Sequence, residues 1–293
     1  MKKGWLVINE MMKSTRFEAT YQMLCVAAKS RGLILDLYTN ATLTSMICMD
    51  DCCEIRIAME TPDFVLFWDK DVTLAKLLEQ AGIRLFNGAE SIRICDNKAL
   101  TMLALANQNI KCPKTFISPL VFDPKIETPE KFWNGVLREL SFPFIIKECY
   151  GSFGEQVYLI DHEDMLFRVS NNMKNRPFLA QEYVESSKGR DVRIYVVKGR
   201  IVASILRVNN KDYRANYGAD TLATPYKPEE AFLTMALRVA DLLGLDFGGI
   251  DLMFGKQGEP VFCEANSNAQ FSKLSQATGI DIADAIMDMI VEE

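Results

Sequence analysis

Short apolar runs alternate with amphipathic stretches through the first third of the chain. Strands are predicted at residues 6–8, 33–38, 64–68 and 83–87, and helices at residues 17–31 and 72–81. A glycine directly follows each helix, as expected at a helix C-cap. This alternation favours a parallel sheet covered by helices. The first strand runs into Asn9-Glu10-Met11-Met12 rather than a GxGxxG loop, which argues against a nicotinamide-dependent dehydrogenase.

Length and charge exclude several classes of protein. The 293 residues are enough for two or three folding units, and a hydrophobic fraction of 49% is ordinary for a globular protein. The net charge of −6 gives no broad positive surface for nucleic acid, and no apolar run approaches the about 20 residues of a membrane span. The single histidine, His162, argues against a His-based triad or a multi-histidine metal site.

The eight cysteines are too sparse for a disulfide scaffold in a chain of this length. The closest group, Cys48, Cys52 and Cys53, lacks paired ligand spacing and a nearby histidine. Free thiols are therefore favoured over a zinc site, and the expected location is a reducing cytoplasm.

Strands predominate towards the end of the chain. They are predicted at residues 143–149, 156–160, 178–184, 191–197, 201–208, 248–254 and 260–265, with helices at 129–140, 228–243 and 280–290. Asp96 is expected to cap a further helix, which begins at Asp96-Asn97-Lys98. Lys198-Gly199-Arg200 separates two of the strands, as a hairpin turn would.

Two acids and an amide mark the last two predicted strands. Glu264 and Asn266 are two residues apart, so their side chains share one face of a strand, and Asp251 lies on the preceding strand. If these strands pair, three oxygen ligands suited to Mg²⁺ come together. Two carboxylates buried side by side need a compensating cation. The alternative is that one acid caps a turn while the other faces solvent.

A lysine and a glycine-rich turn form a second candidate site. Lys147 follows the apolar residues 144–146, and Gly151-Ser152-Phe153-Gly154 offers backbone N–H groups that can surround phosphate oxygens. The alternative is an edge-strand lysine beside a plain hairpin turn. Together with the carboxylates downstream, the lysine and the turn indicate nucleotide phosphate binding, although the chain has no GxxxxGK[ST] loop.

Three arginines, Arg193, Arg207 and Arg214, are expected on successive strands. Guanidinium groups bind phosphates and carboxylates through paired hydrogen bonds, whereas exposed arginines form only weak surface ion pairs. Arg207 ends an apolar strand and Arg214 lies two residues before Asn216, so a functional role is predicted for both arginines.

A polar segment, Gln181-Glu182-Tyr183-Val184, ends another predicted strand. Exposed backbone where a strand becomes a loop can hydrogen-bond an adenine edge. These four residues alone do not require that role, and an ordinary strand end is the alternative.

The order of these motifs resembles that of the ATP-grasp superfamily and, within it, the RimK-like amino-acid (glutamate) ligases. The matching segments are residues 96–98, 144–147, 151–154, 181–184, 189–193, 207, 213–216, 248–251, 264–267 and 278–283. The resemblance implies an α/β and α+β architecture, the ATP-grasp fold. In it, an N-terminal parallel-sheet domain, residues 1–93, precedes two α+β subdomains, residues 94–180 and 181–293, that clamp ATP.

The resemblance also implies a role for each matched residue. The set implied to bind ATP is Lys98, Lys147, Gly151, Ser152, Phe153, Gly154, Gln181, Glu182, Tyr183, Val184, Asp191 and Arg193. Arg214 and Asn216 are implied to act at the terminal phosphate, and Arg207 at the substrate carboxylate. Asp251, Glu264 and Asn266 are implied to bind two Mg²⁺ ions, with Glu264 bridging them and Mn²⁺ as an alternative metal.

Two departures from the family pattern affect these expectations. The lid pattern GSxGxGV is interrupted by Glu155-Gln156, which is expected to stiffen the lid or to bring a carboxylate near the phosphates. After Asn266-Ser267, Asn268-Ala269-Gln270-Phe271 replaces the usual Pro-Gly. That segment is expected to border the substrate site, so substrate specificity does not carry over from the family.

The resemblance implies an ATP-dependent carboxylate–amine ligase that acts through an acyl-phosphate. Its expected partners are amino-acid or peptide substrates, with the acceptor a peptide, a protein tail or a small amino acid. The alternatives are a dipeptide-type ligase of the same fold and a non-catalytic nucleotide-binding sensor. Neither nucleic acid nor membrane is an expected partner, and the resemblance is compatible with a homodimer or a homotetramer.

Overall fold

The computed structural model describes residues 2–12, 15–44, 47–49, 55–57, 59–123 and 125–293, so Cys52 and Cys53 lie outside the described residues. The N-terminal elements are β1 (Lys3–Ile8), α1 (Thr15–Ser30), β2 (Ile34–Thr39), α2 (Asn40–Thr44), β3 (Ile47–Met49), β4 (Ile55–Ile57), β5 (Phe64–Trp68), α3 (Val72–Gln80), β6 (Leu85–Phe86) and α4 (Ala89–Asp96). A parallel sheet runs in the order β2-β1-β5-β6, while β3 and β4 pair antiparallel. The predicted parallel sheet is confirmed.

The central strands of the N-terminal sheet, β1 and β5, are buried on both faces, as strands covered by helices are, whereas the edge strand β2 is partly exposed. Trp5 and Val7 pack towards α3 and α4 on one face. Leu6 and Leu66 pack towards α1 on the other face, where Phe247 from the C-terminal part joins the same core. The N-terminal sheet is therefore fixed against the C-terminal part by a shared apolar core.

The central part carries an antiparallel sheet. Its elements are α5 (Lys98–Leu105), β7 (Thr115–Ile117), α6 (Glu130–Glu139), β8 (Phe144–Glu148), β9 (Val157–Ile160), α7 (Glu163–Met173) and β10 (Phe178–Glu182). The strand order is β7-β10-β8-β9. Phe144 and Ile146 pack beneath α6 and α7. Because side chains alternate along a strand, Ile145 and Lys147 point to the opposite face.

The C-terminal part carries a second antiparallel sheet. Its elements are β11 (Arg190–Val197), β12 (Arg200–Val208), β13 (Leu222–Pro225), α8 (Glu230–Leu242), β14 (Phe247–Phe254), β15 (Pro260–Asn266), α9 (Ser272–Thr278) and α10 (Ile282–Glu292). The strand order is β13-β12-β11-β14-β15. Val192, Ile194 and Ile250 pack towards α8, so Arg193 and Asp251 face the other side of the sheet.

A buried asparagine links the N-terminal and C-terminal sheets. The Asn87 amide Nδ2 donates hydrogen bonds to the carbonyl oxygens of Phe247 and Ser267, both at 2.9 Å. Its Oδ1 accepts a hydrogen bond from the backbone N–H of Asp246 at 2.7 Å. These bonds hold the end of β15 beside the carboxyl ends of the N-terminal strands.

Two local predictions are wrong. Asn97, not Asp96, caps α5, because its Oδ1 accepts hydrogen bonds from the backbone N–H groups of Ala99 and Leu100 and Asp96 still belongs to α4. Arg214 lies in the loop after β12 rather than on a strand. The Asn209 Oδ1 accepts hydrogen bonds from the next backbone N–H groups, those of residues 211 and 212, and this turn ends the strand.

Candidate active site

A cavity of about 890 Å³ lies between the central and C-terminal sheets. The predicted site residues that line it are Lys98, Lys147, Gly151, Ser152, Gly154, Gln181, Glu182, Tyr183, Val184, Asp191, Arg214, Asn216, Asp251 and Glu264. Phe153, Arg193, Arg207 and Asn266 line a second cavity instead. We call these spaces the first and the second cavity.

Several cationic side chains line the first cavity. The Lys98 Nζ, at the start of α5, donates a hydrogen bond to the Gly151 carbonyl at 3.3 Å and lies 3.4 Å from the Glu264 Oε1. Lys147 and Arg214 line the same cavity. Arg190 lines it as well, and these four cationic groups provide the charge that a polyphosphate needs.

The first cavity also has an apolar wall. Ile145 on β8, Val157 on β9 and Met253 on β14 line it together with Tyr183, whose buried hydroxyl has no hydrogen-bond partner in the part of the chain that the structure describes. Sequence reasoning did not single out the three apolar residues. Their signal is the two-residue alternation, because Ile145 shares the cavity face of β8 with Lys147.

The loop between β8 and β9 is fastened at both ends. The Arg214 Nη1 donates a hydrogen bond to the Gly154 carbonyl at 2.7 Å, and the Gln156 Oε1 accepts one from the Ser152 N–H at 3.2 Å. Gly154 has a φ of +74°, and a Cβ there would lie 3.0 Å from the Asn216 Oδ1. Glu155 is exposed and does not line the first cavity. Gln156 thus bonds the backbone of its own loop, and the expected stiffening of a lid stays a prediction.

Asp251 lies in a buried network of two acids and two arginines, with Asp191, Arg193 and Arg207. Its Oδ1 accepts from the Arg193 Nε at 2.7 Å, and its Oδ2 lies 2.6 Å from Arg193 and 2.8 Å from Arg207. Arg207 also holds Asp191 at 2.7 and 2.5 Å. Burial opposes ionisation of Asp251, but the two guanidinium charges outweigh it and lower the pKa of this carboxyl.

The three oxygen-bearing side chains predicted to bind metal lie on paired strands. Asp251 on β14 is directly opposite Glu264 on β15, and Gly249 is opposite Asn266. A carboxylate offers about four lone-pair positions, and the arginines occupy three of those of Asp251. Glu264 and Asn266 are only partly buried and both line the second cavity. This donor set fits Mg²⁺, with Asp251 contributing less than the other two.

The second cavity, also about 890 Å³, adjoins the first. Both cavities are lined by Ser152, Asn216 and Glu264, so they meet at these residues. The second cavity extends to the N-terminal sheet, where Trp68 and Asp69 line it. Residues 268–270 also line it, which places the segment that departs from the family pattern beside the candidate substrate space.

The motifs on this site match one known family. The sequence model of the RimK-like ATP-grasp domain matches residues 95–290. The chain belongs to the RimK-like ATP-grasp family. This membership confirms the resemblance and the fold class, and it places the chain in a family of ATP-dependent ligases that form amide bonds to amino acids.

Curated relatives include both uncharacterized proteins and synthases. An uncharacterized protein of Mycoplasma pneumoniae is 31% identical over 89% of this chain and 90% of its own length. Human β-citrylglutamate synthase B is 33% identical over 75% of this chain, which spans 56% of that protein. The α-aminoadipate–LysW ligase LysX of Saccharolobus solfataricus is 30% identical over 74% of this chain and 77% of its own length.

Solved structures share the fold at low sequence identity. A RimK domain ATP-grasp protein from Sphaerobacter thermophilus has a TM-score of 0.71 at 19% identity, covering 99% of both chains. The ATP-grasp ligase PsnB, in a complex with a phosphomimetic minimal precursor, Mg and ADP, has a TM-score of 0.72 at 16% identity and covers 98% of this chain and 97% of its own. Within the described residues, no helix is both long and apolar enough to cross a membrane.

Proposed function

We propose that this chain is an ATP-dependent carboxylate–amine ligase that joins an amino acid to its substrate through an amide bond. The observation that carries the proposal is the meeting of the two cavities at Ser152, Asn216 and Glu264. ATP in the cationic first cavity and a carboxylate in the second cavity would face each other there. The ligase and synthase names of the relatives support this assignment.

The first cavity suits ATP in the chemistry of its lining. Ile145, Val157 and Met253 would enclose the base, beside the backbone of residues 182–184. Lys98 and Lys147 would hold the phosphates, and the loop fastened by Arg214 would cover them.

Glu264 and Asn266 would hold Mg²⁺, with the remaining lone-pair position of Asp251 as a third ligand. When bound, Mg²⁺ neutralises charge on the phosphate oxygens and so favours attack at the terminal phosphorus. Two ions bridged by Glu264, and Mn²⁺ as a substitute, are part of the proposal. The Asn266 Nδ2 is buried and has no partner among the described residues, so an acceptor such as a phosphate or carboxylate oxygen is missing beside it.

The reaction has two steps. A carboxylate oxygen attacks the γ-phosphorus and ADP leaves, giving an acyl-phosphate. An amine nitrogen then attacks the acyl carbon, and phosphate leaves and takes up the proton that the nitrogen loses as the amide forms. Arg214 and Asn216 would stabilise charge on the transferred phosphoryl group. Arg207 is 6% exposed and already paired with Asp191 and Asp251, so its proposed action on the substrate carboxylate requires it to share those contacts.

The proposal extends to finer points that rest on the resemblance. The acceptor would be a peptide, a protein tail or a small amino acid, and a dipeptide-type ligase of the same fold is the alternative. A cytoplasmic location, a homodimer or homotetramer, and domain boundaries after residues 93 and 180 stay predictions. The second of these boundaries falls inside β10, which spans Phe178–Glu182.

The test combines a substrate panel with one substitution. ADP release is measured with ATP, Mg²⁺ and pairs of amino acids or acidic peptides, and mass spectrometry identifies the amide. Glu264→Gln should abolish turnover and weaken Mg²⁺ binding without unfolding the chain, because Glu264 lies in a polar cavity and not in the apolar core. Glu292→Gln, which removes an exposed acid paired with Lys198, is the matched control.

Each outcome of this test has a distinct meaning. ADP release that needs both a carboxylate and an amine supports the ligase. ATP binding without ADP release for any pair contradicts the ligase and favours the sensor. Full turnover of Glu264→Gln contradicts the metal assignment alone.

A further inference from the structure

A buried carboxylate at the end of β5 lines the second cavity with an unpaired oxygen. Asp69 is 3% exposed. Its Oδ1 accepts hydrogen bonds from the Asn9 Nδ2 at 3.0 Å and from the backbone N–H of Lys70 at 2.6 Å. Its Oδ2 has no hydrogen-bond partner within the ranges that the structure describes. Leaving a buried carboxylate oxygen unpaired is costly, so a donor is missing at this position.

A second unpaired acceptor borders the same cavity. The Asn268 Nδ2 donates a hydrogen bond to the backbone carbonyl of Asp69 at 2.6 Å, and this bond fixes the orientation of the amide. The Asn268 Oδ1 therefore faces away from that carbonyl, is buried, and has no partner among the described residues. A carboxylate oxygen and an amide oxygen that both lack donors suit a group with several N–H bonds.

The remaining acids of the second cavity have cationic partners. Asp96 pairs with Lys70 at 2.5 Å, and Glu264 lies 3.4 Å from Lys98. Asp69 forms no ion pair in the described part of the chain. Burial raises the pKa of Asp69, which reflects the cost of holding this carboxylate without a cation. A cation is thus the ligand chemistry that this end of the cavity lacks.

We propose that Asp69 and Asn268 bind the ammonium group of the substrate that occupies the second cavity. The inference rests on the proposed ligase function, because that function makes the bound molecule a substrate. The subsite itself is defined by its own unpaired acceptors. The ligand is then an amino acid with a free amine. An N-acylated acid, or a polycarboxylic acid without an amine, would place no positively charged hydrogen-bond donor beside Asp69. Binding of such an acid is therefore disfavoured.

Binding of matched ligands tests the subsite without turnover. The full chain, saturated with Mg²⁺ and a non-hydrolysable ATP analogue, is titrated with the common L-amino acids and with the N-acetyl form of each. We expect at least one free amino acid to bind, and its N-acetyl form to bind about 10- to 100-fold more weakly, because the N-acetyl form cannot make the charge-assisted hydrogen bond to Asp69.

A charge-removing variant ties this preference to Asp69. Asp69→Asn keeps the shape and should lower affinity for the free amino acid about 10- to 100-fold while the affinity for the ATP analogue stays within about twofold. Asp36→Asn, which removes a partly exposed acid paired with Lys3, is the matched control and should bind as the unaltered chain does. Unchanged affinity for the analogue shows that Asp69→Asn is folded.

Three results would overturn the inference. They are equal or tighter binding of the N-acetyl forms, an Asp69→Asn variant that keeps the preference, and no binding of any free amino acid. ADP release is recorded in parallel. Amine-dependent binding without ADP release would contradict the ligase and leave the ammonium subsite standing, so the two proposals fail separately.

Discussion

Removal of Arg207 should destabilise the chain because it leaves a buried acid unpaired. Arg207 is 6% exposed and holds Asp191 at 2.7 and 2.5 Å and Asp251 at 2.8 Å. In Arg207→Met, Asp251 keeps its two bonds to Arg193, but Asp191, 5% exposed, keeps no hydrogen-bonded partner in the described part of the chain. Breaking a buried pair in this way costs about 3–5 kcal/mol.

The free energy of unfolding, measured by urea titration with far-UV circular dichroism, checks this value. Adding Asp191→Asn to Arg207→Met removes the unpaired charge, so the double variant should recover about 2 kcal/mol or more. Arg200→Met, at the exposed start of the same strand, is the matched control and should change stability by less than about 0.5 kcal/mol.

The loss of unfolding free energy in Arg207→Met should also depend on pH. Burial already raises the pKa of Asp191 with Arg207 present, and loss of the guanidinium raises it further, so the penalty is present at neutral pH and falls as acidification protonates the carboxyl. Two results would refute the reasoning: an Arg207→Met variant within about 1 kcal/mol of the unaltered chain, or a double variant no more stable than Arg207→Met alone.

Three further predictions concern the lid, the join between sheets and a thiol in the first cavity. Gln156→Ala frees the Ser152 N–H, so hydrogen exchange at that amide should be about fivefold faster; an unchanged rate would show that Gln156 does not fasten the lid. Asn87→Ala leaves the buried carbonyls of Phe247 and Ser267 without a donor, so unfolding by urea should show a loss of about 3 kcal/mol, and a loss below about 1 kcal/mol would contradict that role. Burial raises the pKa of Cys263 to about 11, so only about one part in a thousand of this thiol is thiolate at pH 8. Alkylation of Cys263, measured by mass spectrometry, should therefore be slow at pH 8, become faster as the pH rises, and be suppressed by ATP because Cys263 lines the first cavity. Rapid labelling at pH 8 would contradict this.

The strands that carry the site were predictable because each is a short, mostly apolar run. β5, β8 and β14 lie within or next to the predicted ranges, and Lys147 and Asp251 face the cavity as the two-residue period requires. That Asp251 lies beside Glu264 was predicted only on the condition that their two strands pair. The register shift after Asp251 depends on the whole sheet and has no local signal.

Several elements and contacts escaped sequence reasoning for physical reasons. α7 is short and polar, although Leu166, Val169 and Met173 follow the spacing of a buried helical face. Asp69 gave no functional signal, because it simply follows an apolar strand. Its partner Asn268 is almost 200 residues away, and their meeting depends on how the N-terminal sheet packs on the C-terminal sheet. The arginines around Asp251 likewise meet it only through strand pairing.

Trp68 gives this chain a built-in optical reporter. Its indole stacks on Phe247 with ring centroids 5.3 Å apart, and its buried Nε1 has no hydrogen-bond partner in the described ranges. The other two tryptophans, Trp5 and Trp133, belong to apolar cores that contain no cavity-lining acid. A ligand entering beside Asp69 would alter the surroundings of one fluorophore and leave two as an internal reference, so intrinsic emission can follow occupancy without a label.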